Sequence, residues 1–366
     1  MTQAMPERSP TNGIAPLSLD EKYTRLSGRI FVTGAQALVR IPIDQARRDA
    51  GSGLNTSGFV SGYRGSPLGT YDMALWQAEE QLRAHSIVFQ PGVNEELAAT
   101  AINGTQEAPF LPGARYDGVF SLWYGKGPGV DRAGDALKHG NLAGAHPRGG
   151  VLVLCGDDHA ARSSTTAHQS DHALIHYGMP LLNPASIQEV LDYGLLGLAM
   201  SRYSGAWIGM KCVTDTIDGT ASIEVDPSRN ALVIPTDFAM PEGGIGNPGK
   251  WVPMLQAEAR LFEERLPAAQ AFARANDLDG VRFGAVGRRR LGIVTSGKSY
   301  LDVLEAFAGL GITPVDAERL GISIYKVGMI YPLEPQRMAA FASSCDELLV
   351  IEEKRGVIEP QLAQML

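Results

Sequence analysis

The chain carries an acidic pair where a short strand gives way to a helix. The apolar strand ends at Pro91-Gly92, and Glu95 and Glu96 then open a helix rich in alanine and glycine. Small residues in such a helix let another backbone or a bound molecule approach closely. Acidic residues in a first turn also oppose the helix dipole, so the spacing alone leaves a purely structural role open.

Three further polar, glycine-rich segments stand between an apolar strand and a helix. They cover residues 61–69, 123–132 and 156–164. In open α/β sheets, ligands bind outside the carboxyl ends of the strands. Together with the acidic pair, these segments predict a binding site at that edge of a sheet.

At these residues the sequence resembles the indolepyruvate ferredoxin oxidoreductases, a branch of the 2-oxoacid:ferredoxin oxidoreductases. The resemblance lies in the loop Tyr63-Arg64-Gly65-Ser66-Pro67, the pair Asn94-Glu95 and the stretch from Gly156 to His172. It extends over almost the whole chain from residue 20 onward. The matching part is the amino-terminal portion of the long fused form of that enzyme.

The resemblance implies that the chain binds the pyrimidine side of thiamine diphosphate. In the family a glutamate hydrogen-bonds the pyrimidine ring, and Glu95 matches that glutamate, with Glu96 as the alternative. The residues expected to contact the cofactor are Tyr63, Ser66, Pro67, Asn94 and Glu95. The residues expected to contact the substrate are Arg64, Lys126, Arg132 and His159. A surface position in a tight turn explains Arg64 equally well.

The implied reaction is the oxidative decarboxylation of an aryl 2-oxoacid to an acyl-CoA, with electrons passed to ferredoxin. Cys155, Cys212 and Cys345 are the only cysteines and are far apart, so they cannot supply the four ligands of an iron–sulfur cluster. Iron–sulfur clusters, magnesium and the diphosphate site are therefore expected in other domains or another subunit. The isolated chain is expected to be inactive, and the family resemblance implies a homodimer.

Composition excludes other classes of function. A net charge of −8 argues against a nucleic-acid surface, which needs a basic stripe. The first 18 residues are polar and rich in proline, serine and threonine, which predicts a disordered tail and not a signal peptide. No apolar run is long enough for a membrane span. We expect a cytoplasmic protein.

Strand and helix patterns alternate along the chain, which predicts an α/β fold with a doubly wound parallel sheet. Apolar runs predict strands at 29–32, 57–61, 87–89, 118–122, 151–154 and 206–212, and an added hairpin pairs 223–225 with 232–234. A second, smaller α/β unit from residue 291 resembles the transketolase carboxy-terminal domain. After three predicted strands it stops inside a helix, which predicts an incomplete domain from a fragment or a split gene product.

These patterns divide the chain into four parts. Residues 1–20 form the tail, 21–250 the pyrimidine-binding-type domain, 251–290 a helix and linker, and 291–366 the incomplete second domain.

Two alternative functions remain open. A metal-dependent hydrolase could use Asp157, Asp158 and His159 with the row of histidines at 168, 172 and 176. A scaffold subunit could keep the fold and lack the chemistry. Gly156-Asp157-Asp158 with Asn183 also imitates the diphosphate signature of thiamine enzymes, which we interpret as coincidence because Asp158 would repel a diphosphate.

Overall fold

The computed structural model describes residues 18–229 and 231–366, so the predicted tail at residues 1–17 lies outside the described residues. The strands are β1 Gly28–Thr33, β2 Thr56–Gly62, β3 Ile87–Phe89, β4 Gly118–Lys126, β5 Val151–Asp157, β6 Leu181–Leu182, β7 Ile208–Val213, β8 Thr220–Val225, β9 Gly280–Gly284, β10 Arg289–Ser296, β11 Ile322–Val327, β12 Met329–Tyr331 and β13 Cys345–Ile351. The helices are α1 Glu21–Thr24, α2 Gly34–Gly51, α3 Tyr71–Gln77, α4 Glu79–Ala84, α5 Glu95–Glu107, α6 Gly127–Arg132, α7 Gly134–Ala143, α8 Asp171–His176, α9 Ile187–Ser204, α10 Thr214–Ile217, α11 Met254–Arg260, α12 Leu266–Ala275, α13 Gly297–Gly309, α14 Pro314–Leu320, α15 Pro335–Ser343 and α16 Ile358–Met365.

The main sheet has seven strands in the order β12-β6-β7-β5-β4-β2-β3, all parallel except the edge strand β12. The side chains of successive residues of β4 lie on opposite faces of the sheet. Leu122 and Tyr124 pack in the hydrophobic core with α2 and α9, while Trp123 packs in a second core with α5 and α7. Burial on both faces explains why these strands are continuous apolar runs, and it confirms the predicted doubly wound sheet.

The predicted hairpin is wrong. Strand β8 pairs antiparallel with β1, from Gly28↔Val225 to Thr33↔Thr220, and forms a separate two-stranded sheet. The segment 232–234 is not a strand. Its Val233 backbone bonds instead with the Asn276 side chain, which donates to the carbonyl at 2.8 Å and accepts from the amide at 2.9 Å. Strand β8 therefore pairs with the distant strand β1 and not with the nearby segment 232–234.

The second unit forms a four-stranded sheet in the order β13-β10-β11-β9, with β9 antiparallel. Strand β9 lies in the stretch where the sequence predicted only a helix and a linker. Strand β12 crosses to the main sheet and pairs with β6. The buried Asp279 carboxylate accepts the backbone N–H groups of Gly328 and Met329 at this crossing, and burial raises its pKa to about 6.

Within the described part of the chain, no helix combines the length and the apolar character that a membrane crossing requires.

Candidate active site

Backbone hydrogen bonds tie three loops together at the carboxyl edge of the main sheet. The Tyr63 amide donates to the Tyr124 carbonyl at 3.0 Å, which joins the loops after β2 and β4. The Gly92 amide donates to the Gly62 carbonyl at 2.8 Å, which joins the loop before α5 to the end of β2. The edge predicted from the glycine-rich segments is therefore one continuous surface.

The loop after β5 reaches the same surface. The hydroxyl groups of Ser66 and Ser163 form a hydrogen bond between the loops after β2 and β5. Pro67 is buried, and a Cβ atom on Gly156 at the end of β5 would lie 3.1 Å from its Cδ.

The start of α5 is fixed from two directions. Asn94 caps the helix, because its Oδ1 accepts the Leu97 amide at 2.8 Å. The Trp123 indole Nε1 donates to the Glu95 carbonyl oxygen at 3.0 Å. As a result the Glu95 side chain turns inward and the residue is 7% exposed, whereas Glu96 is exposed to solvent. Burial therefore favours Glu95 as the residue that meets a ligand.

The Glu95 carboxylate lies against the backbone of α6. A Cβ atom placed on Gly129 would lie 2.6 Å from Glu95 Cγ and 2.7 Å from Oε1, so only glycine leaves room for this side chain. Among residues 18–229 and 231–366, no donor hydrogen-bonds the carboxylate, and Arg132 Nε approaches Oε2 only to 4.0 Å. A carboxylate acceptor without a hydrogen-bond partner is available to a ligand's donor or shared proton. This arrangement is compatible with the predicted contact to a pyrimidine ring, which stays a prediction.

Three of the predicted substrate contacts lie at the carboxyl ends of β2 and β4 or on the segments that follow them. Arg64 is exposed, Lys126 is half-buried and Arg132 lies beside Glu95. Lys126 rests its aliphatic stem on Gly65, where a Cβ atom would lie 2.6 Å from Lys126 Cδ. In the described residues neither Arg64 nor Lys126 forms an ion pair, so both cations are available for an anionic ligand.

His159 points elsewhere. Its Nδ1 lies 3.0 Å from Glu353 Oε2, and its carbonyl oxygen accepts Lys354 Nζ at 2.9 Å. The hydrogen bond from His159 lowers the pKa of the Glu353 carboxyl. His159 therefore joins the first unit to the second, and its contact with substrate stays a prediction.

Sequence reasoning missed the positioning roles of Trp123, Gly127 and Gly129. The first supports Glu95 through its backbone, and the two glycines let side chains of other elements approach α6. The signal was present as alternate glycines at 127 and 129, which a helix entered through Pro128 also explains. Only the fold places these residues beside Glu95.

The acidic side chains at the end of β5 hydrogen-bond to the loop that follows this strand. Asp158 accepts the backbone amides of residues 162, 163 and 164, which lowers its pKa, and Asp157 accepts the amide and hydroxyl of Ser170. Asn183 donates to Ser296 Oγ at 2.9 Å. In the described ranges, no three His, Cys, Asp or Glu side chains are grouped to hold a metal ion. These bonds account structurally for the residues of the hydrolase alternative and of the diphosphate-like pattern.

Comparison with known proteins finds similar chains of one family. Residues 282–366 match the model of the indolepyruvate oxidoreductase domain. The chain is 26% identical over 340 residues to indolepyruvate oxidoreductase subunit IorA of Methanothermobacter marburgensis, covering 91% of this chain and 48% of the relative. It is 22% identical over 348 residues to the IorA subunit of Pyrococcus abyssi, covering 91% and 47%.

This chain is related to the indolepyruvate ferredoxin oxidoreductases. The resemblance to this family that the loop and Asn-Glu motifs indicated is confirmed. The chain spans about half the length of the curated indolepyruvate oxidoreductase subunits it matches.

Solved structures agree with the predicted fold class. The 2-oxoglutarate:ferredoxin oxidoreductase of Magnetococcus marinus, solved with 2-oxoglutarate, coenzyme A and succinyl-CoA bound, superposes with a TM-score of 0.67 at 16% identity, covering 92% of this chain and 59% of that one. A split-gene transketolase, an inactive β4 tetramer, gives a TM-score of 0.52 at 11% identity, covering 91% and 85%. This chain therefore has the predicted α/β fold class, with a unit similar to the pyrimidine domain of thiamine enzymes followed by a smaller transketolase carboxy-terminal-like unit.

Proposed function

We propose that the chain is the pyrimidine-side part of a thiamine-diphosphate-dependent indolepyruvate ferredoxin oxidoreductase. The observation that carries this proposal is the buried Glu95 carboxylate, which no described donor satisfies and which lies on a surface of joined glycine-rich loops. The relatedness to IorA subunits supports the same conclusion. In the experiments below, the complete enzyme means this chain assembled with the polypeptide that supplies the diphosphate site.

Thiamine diphosphate, when bound, supplies the carbanion chemistry of decarboxylation. The chain's own residues bind and orient its pyrimidine side. Glu95 would hold a ring nitrogen of the cofactor through a shared proton at a carboxylate oxygen. The Asn94 cap fixes the start of α5, and Gly129 leaves room for the carboxylate. Tyr63, Ser66 and Pro67 form the adjoining wall, which Ser163 supports.

Arg64 and Lys126 are the proposed contacts for the carboxylate of an aryl 2-oxoacid. The planar guanidinium of Arg64 can bind a carboxylate through two hydrogen bonds, whereas Lys126 acts as a point charge on a stem held by Gly65. The product is an acyl-CoA, and the electrons pass to ferredoxin. The iron–sulfur clusters that carry the electrons lie outside this chain's own residues, because its three cysteines are dispersed. The magnesium and diphosphate site belongs to the same remaining part of the enzyme in this proposal.

Exposed apolar side chains lie on α3, on β3 and around the start of α5, and we call them the apolar rim. They are Met73, Trp76, Val88, Val93 and Leu97, which are 51–83% exposed. Exposed apolar side chains of this kind are typical of interaction surfaces. We assign this apolar rim to the polypeptide that carries the diphosphate site.

The substitution pair Val93→Asp and Leu97→Asp tests that assignment. Burial of an aliphatic side chain contributes about 1.5–3 kcal/mol, so two charges on the rim are expected to weaken assembly by at least about 100-fold. Sedimentation velocity measures it, with Leu310→Asp as control because Leu310 is 73% exposed on the second unit. Unchanged assembly of the double variant would assign the rim another role.

Gly129→Ala tests the positioning of the carboxylate. The added Cβ must displace Glu95, and a misplacement of this kind is expected to lower turnover of the complete enzyme by about 100-fold. Gly104→Ala on α5 is the matched control, because no atom lies within 4 Å of its Cβ position. Equal turnover by the two variants, each with a native-like melting temperature, would contradict a role for the Glu95 position.

The division of labour is tested by assaying indolepyruvate oxidation with coenzyme A and an artificial electron acceptor. The complete enzyme is expected to turn over and the isolated chain to be inactive. Robust turnover by the isolated chain would refute the proposal that the diphosphate and iron–sulfur sites lie elsewhere.

A further inference from the structure

The six-residue helix α6 is held between two side chains from other elements. Glu95 lies against it at Gly129, and the imidazole of His168 lies against it at Gly127. A Cβ atom at either glycine would collide with the facing side chain. A shift of α6 toward or away from His168 therefore changes the space available to Glu95.

His168 also bridges α6 to the main sheet. Its Nε2 lies 2.9 Å from Asp131 Oδ2 on α6, and its Nδ1 lies 3.5 Å from Asp157 Oδ1 at the end of β5. The Asp157 side chain is fully buried and is held by the Ser170 amide and hydroxyl. Asp157 thus provides a fixed anchor, while Asp131 is 61% exposed and moves with α6.

We propose that His168 is a positioning residue for Glu95, because its imidazolium ties α6 to the buried end of β5 and α6 in turn sets the room for the Glu95 carboxylate. The inference rests on the proposed role of Glu95 in cofactor binding. His168 itself touches neither the carboxylate nor, in this account, the substrate.

The bridge requires a charged imidazole. The nearby Asp157 carboxylate is the largest cause of a raised His168 pKa, and Asp131 adds to it, so the pKa lies above its usual value although partial burial opposes the charge. The other charged or titratable groups that interact with the two carboxylates are Lys211 and Cys212 on β7 and Cys155 on β5 for Asp157, and Tyr177 after α8 for Asp131. Deprotonation of His168 leaves two carboxylates without their shared cation and loosens α6.

The indole of Trp123 offers a readout that does not depend on catalysis. It donates to the Glu95 carbonyl, so its N–H resonance reports the start of α5. In the chain labelled at histidine and at the indole nitrogen, NMR titration from about pH 5.5 to 8.5 follows both groups. Trp123→Phe assigns the indole resonance, and His168→Gln assigns the imidazole.

We expect the Trp123 resonance to shift with the same midpoint as the His168 imidazole. His168→Gln is expected to remove the pH-dependent shift of the Trp123 resonance. Asp131→Asn is expected to lower the midpoint of that shift, and its exposed position should leave folding intact. His168→Lys, which keeps a cation, is expected to hold the indole resonance near its low-pH position throughout. His139→Gln on α7 is the control, since His139 is 65% exposed and contacts only Asp135.

In the complete enzyme, His168→Gln is expected to lower kcat by about tenfold with an unchanged KM for the 2-oxoacid, and His168→Lys to restore most of it. The inference would be overturned if the Trp123 resonance did not shift as His168 titrates, or if Asp131→Asn left the titration midpoint unchanged. Either result would overturn it even if Glu95 is essential. Shared titration in the chain together with a fully active Glu95→Gln enzyme would keep the coupling and refute only the proposed function.

Discussion

Glu95→Gln is expected to lower kcat of the complete enzyme by about 10²–10⁴-fold, the usual contribution of a positioned acid or base. Glutamine keeps the shape of the side chain and removes the group that holds a shared proton. Stability is expected to change little, because the carboxylate has no hydrogen-bond donor among the described residues and its closest cation is 4.0 Å away. Steady-state kinetics and thermal denaturation on the same preparation measure both quantities.

Glu96→Gln is the matched control. Glu96 occupies the next position of the same first turn but is exposed to solvent. Its substitution is expected to leave kcat and the melting temperature unchanged. Loss of activity in Glu96→Gln alone would transfer the role to that residue, and full activity in both variants would favour the scaffold alternative.

Lys211→Met is expected to lower the free energy of unfolding by about 3–5 kcal/mol, the largest stability effect we predict. Lys211 is 5% exposed, and its Nζ lies 2.9 Å from Oδ2 of Asp171, which is 1% exposed. Removing the cation leaves the Asp171 carboxylate buried without its counter-charge, and the Asp157 carboxylate also loses a stabilising charge. Urea denaturation at neutral pH measures the loss.

Lys298→Met provides the control for this loss. Lys298 pairs with Asp302 one helical turn away, with side chains 32% and 57% exposed, so its removal is expected to cost less than about 1 kcal/mol. The double substitution Lys211→Met, Asp171→Leu removes both buried charges and is expected to recover much of the stability. Equal effects of the two lysine substitutions would contradict a tightly coupled buried pair.

The pH dependence of the Lys211 contribution has a definite sign. Burial opposes the charge of Lys211, but Asp171 and Asp157 outweigh it, and the pKa lies above its usual 10.5. A raised pKa gives stability that is complete below the unfolded value and is lost as pH rises through the folded value. The deficit of Lys211→Met is therefore expected to be constant around neutral pH and to shrink only above pH 10.5.

The sequence predicted the main sheet well because its strands are buried on both faces. Strands β4, β5 and β7 are mostly apolar segments between polar loops, and this pattern needs no knowledge of distant partners. The predicted hairpin failed for the opposite reason. The apolar run 232–234 has the composition of a strand, but β8 pairs with β1, far away in the sequence.

The sequence predicted which loops form the candidate site, but it did not predict which side chains contact each other there. The Asn94-Glu95 motif and the position of the loops at the carboxyl edge follow from local pattern. The choice between Glu95 and Glu96 depends on burial, and the placement of His168 against α6 depends on which strands neighbour each other. Neither is encoded in spacing along the chain, so only the fold could supply them.

The central claim is tested most directly by a structure of the complete enzyme with thiamine diphosphate bound. We predict a Glu95 carboxylate oxygen within about 2.6–3.2 Å of a pyrimidine ring nitrogen, the range of a hydrogen bond that shares a proton. A pyrimidine ring bound away from the start of α5, or one whose nitrogen meets a different carboxylate, would contradict the account.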